Sequence, residues 1–126
     1  MTSEEMHIWN RAAMSAGGKE PLEGDRALAA LLGVHGPIMN GGLGDAFICC
    51  GEPRYAEGVE AFRYFGLVQV AALLERAAKL PEEEAEELSS EYWELIPSDS
   101  TIVHAFLQKH AACPEVFAAV GGESHV

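Results

Sequence analysis

No stretch of this chain spells out a reaction. G-x-S-x-G, G-x-x-x-x-G-K-[ST] and G-x-G-x-x-G are all missing, which removes a nucleophile elbow, a phosphate loop and a dinucleotide fingerprint as sources of function. Cysteine is scarce: three residues, two of them adjacent as Cys49-Cys50 and none in a C-x-x-C pair. That set does not make a disulfide framework, so the thiols are expected to be reduced and the protein cytoplasmic. No apolar run approaches the roughly 18 residues of a membrane span, and the opening Met-Thr-Ser-Glu-Glu is acidic where a signal peptide would be basic. Neither membrane insertion nor secretion by that route is expected.

Positive charge is the other shortage. Eight Lys and Arg stand against twenty Asp and Glu, a formal charge of -12. Residues 1 to 80 hold ten acids and seven bases, while residues 81 to 126 hold ten acids and Lys109 alone. Such a surface repels nucleic acid, phosphorylated substrates and anionic membranes, and steers toward a basic protein. Direct nucleic-acid binding is therefore not expected.

What is present is helical patterning throughout. At 126 residues the chain is long enough for one domain that folds without disulfides or metals. Thr2 and Glu5 have the T-x-x-E spacing of a capping box ahead of Met6, Trp9, Ala13 and Ala16, and Gly17-Gly18 ends that helix. Asp25 is a candidate cap for a second helix carrying Leu28, Leu31, Leu32 and His35. Pro37 predicts a kink or stop there, with Asn40-Gly41-Gly42 as helix terminus and sharp turn. A short apolar run, Leu43 to Cys50, leads through Gly51 to a helix opened by Glu52-Pro53. Gly66 then joins two helical patterns, Ala56, Val59, Phe62 and Leu67, Val70, Leu74, into an αα-hairpin. Pro81 opens a helix expected to run to Ile96, Ser98-Asp99-Ser100 supplies caps for the next, and Cys113-Pro114 ends that one before a last short turn. The expected architecture is all-α: one domain over residues 1–120, six or seven helices around the central hairpin, and a flexible tail over 121–126.

The order Asn40-Gly41-Gly42-hydrophobe, a short apolar helix, Gly51, Ala61-Phe62, Gly66 and Ala71-Ala72-Leu73-Leu74 resembles a family of small acidic helical bacterial domains typified by a DNA-mimic protein. The resemblance covers roughly residues 30 to 80. Two positions depart from the family pattern: Leu43 replaces the usual aromatic after Asn-Gly-Gly, and Asp45 stands near a usual Gln. The resemblance implies an all-helical fold and a role in occupying the DNA-binding surface of a regulator.

The acids themselves lie downstream. With Glu82 at zero and about 100° per residue, Ala85, Leu88, Tyr92, Leu95 and Ile96 share an arc of about 220° to 320°. Glu82, Glu83, Glu84, Glu86, Glu87, Glu91 and Glu94 occupy the opposite half, Trp93 lies beside them, and no Lys or Arg is interleaved between residues 80 and 108. Uncompensated like charges at helical spacing cost about 0.2 to 0.5 kcal/mol a pair. A row that breaks a local stability rule is a candidate binding surface as well as a solvated face. These eight residues are the expected contact for a basic protein, either a DNA-binding regulator or a toxin neutralised in the manner of an immunity protein. A homodimer, if formed, would use Trp9, Trp93 or another apolar edge away from the acids, which repel their own copies.

Catalysis is the least supported reading. His35 on an apolar stripe reads as a hydrogen-bonded core residue, though a pairing with Asp45 or a cysteine would make it a general base. His110 and Cys113 have a spacing two metal ligands can use, but nothing completes the set. No cofactor or metal is expected.

Overall fold

The computed structural model describes residues 1–120, so the expected tail over 121–126 lies outside the described residues. Seven α-helices and one 3₁₀ turn make up the described chain, which contains no strand. They are α1 (Ser3–Ser15), α2 (Glu23–Cys50), α3 (Glu52–Tyr64), α4 (Val68–Ala78), α5 (Glu82–Glu87), α6 (Ser89–Leu95) and α7 (Asp99–Ala112), followed by the 3₁₀ turn Pro114–Val116.

Helix α1 starts with the capping box read from the sequence: the Glu5 amide donates to Thr2 Oγ1 at 3.1 Å and the Thr2 amide to Glu5 Oε1 at 2.6 Å. Those bonds hold the Glu5 carboxyl below its usual range. The chain leaves α1 through Ala16, Gly17 and Gly18, all at positive φ.

The second helix differs from expectation. It carries no stop at Pro37 and breaks at Gly42 (φ 84, ψ 178), within the turn expected at Asn40-Gly41-Gly42. Proline at 37 has no amide to give the carbonyl of Gly33, four residues back. The buried thiol of Cys50 supplies a donor, with Sγ 3.7 Å from that oxygen, and burial keeps the thiol protonated by raising its pKa. Gly36, immediately before the proline, has no Cβ to clash with the ring. With the helix continuous here, α2 rather than the hairpin is the axis of the fold, and α1, α3, α4, α5 and α6 all pack against it. The hairpin of α3 and α4 does form, closed at Gly66 (φ 82), where the Leu67 amide reaches the Phe62 carbonyl at 2.8 Å.

Asp25 is not the cap but the third residue of α2, reaching back to the Leu22 amide at 3.0 Å. It is fully buried. Its carboxylate also accepts from Arg11 Nη2 at 2.9 Å and from the Ala118 amide at 2.8 Å, tying α1, α2 and the end of the described chain together. The core is a single cluster around the inner face of α2, where Leu28, Leu31, Val34, Ile38 and Leu43 meet Phe62, Leu74, Tyr92, Ile102 and Phe106.

Candidate protein-interaction face

The acidic segment is two helices, not one. The chain steps at Leu88 (φ -81, ψ -5), whose amide bonds the carbonyl of Ala85 three residues back. Ser89, which begins α6, is buried against α2. The expected row of Glu83, Glu87, Glu91 and Glu94 is thus divided between α5, which holds the first two, and α6, which holds the last two. The apolar side of the reading holds: Ala85, Tyr92 and Ile96 are buried, while Leu88 and Leu95 are half-buried.

Individual acids have different environments. Glu86 turns back onto the fold, where its Oε2 accepts the Gly44 amide at 3.1 Å and its Oε1 accepts the Ser89 hydroxyl at 3.1 Å. Ser89 Oγ in turn accepts the Leu43 amide at 3.0 Å. These amides open the part of α2 that restarts after Gly42, so Glu86 and Ser89 cap a helix start, where a carboxylate is favoured by the orphan N–H groups and the helix dipole. A Cβ at Gly42 would collide with the Glu86 carboxylate, and one at Gly44 would come within 2.6 Å of the Glu82 carbonyl. The glycine turn is thus the seat on which α5 rests.

Glu91 also has a partner: Arg76 of α4 reaches its Oε2 at 2.7 Å between two exposed side chains. The absence of interleaved bases in sequence therefore does not extend to space. Glu82, Glu83, Glu84, Glu87 and Glu94 are exposed and pair with no cation among the described residues. Trp93 is 44% exposed beside them, outside the core as expected.

Asp99 Oδ1 lies 2.8 Å from His35 Nε2 and the Tyr92 hydroxyl 2.7 Å from Nδ1, so both ring nitrogens are engaged. Burial, with Asp99 nearby, drives the Tyr92 phenol far up. Asp45 is elsewhere, accepting the Cys49 thiol at 3.3 Å, a bond that raises that thiol's pKa and blunts its nucleophilicity. His35 thus meets neither Asp45 nor a cysteine. His110 lies 3.4 Å from Glu4 and 3.7 Å from Glu5, and no group of three or more metal-ligating side chains occurs among the described residues. No helix among them is long and apolar enough to cross a membrane.

The family model for DMP19-like proteins matches residues 20–115, about three quarters of the chain. The chain belongs to the DMP19-like family. The match extends beyond the 30 to 80 stretch that carries the resemblance in sequence: it takes in α5 and α6, so the acidic segment is part of the DMP19-like domain rather than an appendage to it. Neither a curated protein nor a solved structure matches the chain. Three residues that matter to the face were not legible as such. Ser89 and Arg76 act across long sequence separations, and Glu86 is indistinguishable from its neighbours until α5 is seated on Gly42 and Gly44.

Proposed function

We propose that this protein is a non-catalytic DNA mimic, a cytoplasmic domain whose α5 and α6 carboxylates stand in for phosphates on the basic surface of a DNA-binding protein. The observation that carries the reading is the set of exposed, cation-free glutamates Glu82, Glu83, Glu84, Glu87 and Glu94 within a DMP19-like domain. Glu86 is reassigned from contact to scaffold, because its carboxylate caps α2. Glu91 contributes only where a partner's cation displaces Arg76, a modest cost for an exposed pair. Trp93 supplies the aromatic anchor that interfaces favour.

The test is capture of basic proteins from cell extract at low and high salt. The bait is the wild type or a variant with Glu82, Glu83, Glu84, Glu87 and Glu94 changed to Gln. A control with Glu20, Glu57 and Glu115 changed to Gln makes the net charge less negative at exposed positions outside α5 and α6. The partner should be lost from the first variant, be retained by the control, and elute as salt rises. A partner held equally by all three proteins would sink the proposal.

A further inference from the structure

A cleft of about 420 Å³ lies between α1 and the middle of α2, away from the acidic helices. Its walls are Trp9, Met14 and Leu32, and Gly33 and Gly36 form part of its lining. A Cβ at Gly36 would meet nothing within 4 Å, so the cleft reaches the helix backbone there. Its volume falls within the range of small-molecule sites.

The polar groups around it have opposite signs. Arg54, near the start of α3, sends Nη2 to within 3.6 Å of a Cβ position on Gly33. In a chain of net charge -12 most arginines are claimed: Arg11 by Asp25, Arg63 by Glu60 and Glu75, Arg76 by Glu91. Arg54 lines the cleft and pairs with no acid among the described residues. The other lining charge, Asp99, is turned onto His35 Nε2 at 2.8 Å.

We infer that this cleft binds a small monocarboxylate with an aromatic or aliphatic body. Arg54 holds the carboxylate in the two-pronged geometry a guanidinium offers, and Trp9, Met14 and Leu32 cover the body. Asp99, the acid of the lining, disfavours a carboxylate beside it and so orients the ligand toward Arg54. A phosphate ester fits less well, since it would bring two negative charges to one cation beside an acid. The site is independent of the acidic face and does not rest on the mimicry reading.

Calorimetric titration of the full chain with 4-phenylbutyrate and with 4-phenylbutanol tests this, with amide chemical shifts mapping the location. The acid should bind at least about tenfold more tightly than the alcohol, the order expected of a charge-assisted pair. Arg54→Gln should erase that preference. Ala13→Phe, an exposed position on the cleft wall, should weaken both probes with thermal melting unchanged. Equal affinity for acid and alcohol would overturn the assignment. So would undiminished acid binding by Arg54→Gln, shifts confined to residues outside the cleft, or no saturable binding up to about 10 mM.

Discussion

Pro37 and Cys50 show how one residue's defect is met by another thirteen positions on. The proline leaves the Gly33 carbonyl without its helical donor, and the Cys50 thiol, folded back after the break at Gly42, takes that place at 3.7 Å. An amide would be a stronger donor, so the bond is a modest one. A double-mutant cycle isolates it. Cys50→Ala should cost about 1 kcal/mol or more, combining a lost buried sulfur with a lost donor. In a Pro37→Ala background the carbonyl regains an amide, and the same Cys50→Ala change should cost about 0.5 kcal/mol less. Denaturant unfolding of the four proteins measures the difference, and strict additivity would show that the thiol merely fills space. Pro37 was read as a kink or stop because its local effect is breakage, and the compensation comes from a contact that no local pattern encodes.

At the scale of helices, the turn glycines were legible and the reason for them was not. Asn40-Gly41-Gly42 reads as a place where the backbone changes direction, and Gly42 does take a φ of 84°. Besides that backbone conformation, α5 requires a glycine here, because the Glu86 carboxylate occupies the space where a Cβ would go. The same dependence explains the missed step at Leu88. A helix projection sees only i,i+3 and i,i+4 neighbours, whereas the step is set by Ser89 being drawn 46 positions back to the Leu43 amide. Gly42→Ala should accordingly be among the most damaging substitutions of an unremarkable-looking turn. Its backbone conformation alone costs a β-carbon residue about 1 to 3 kcal/mol, and displacement of Glu86 uncaps the restarted helix for about 1 kcal/mol more. A loss of at least about 2 kcal/mol in chemical denaturation is expected, with thermal midpoint falling in parallel. A substitution tolerated within 0.5 kcal/mol would mean that α5 is not seated as described.

For the molecule as a whole, the imbalance of charge was plain from composition, and the structure sorts it into acids that hold the fold and acids that strain it. Glu86 belongs to the first kind. Glu87 and Glu94 belong to the second: each stands in the last turn of its helix, α5 or α6, with no cation beside it among the described residues. For Glu94 the carboxy-terminal end of the helix dipole makes negative charge unfavourable by about 0.3 to 1 kcal/mol, and for both the surrounding field of a chain at -12 adds to the cost. Neutralising these two as Glu87→Gln and Glu94→Gln should therefore raise the melting temperature in dilute buffer. The gain should shrink as salt shortens the screening length from about 10 Å at 0.1 M to about 3 Å at 1 M. Glu86→Gln should move the other way at low salt, because it weakens a charged cap on two backbone-linked groups. Opposite signs for neighbouring glutamates cannot come from net charge, which all three changes make less negative alike. They are what a surface kept for binding at the expense of stability requires. If removing Glu87 and Glu94 instead destabilises the protein, those acids serve the fold, and the energetic case for a mimicking face is lost.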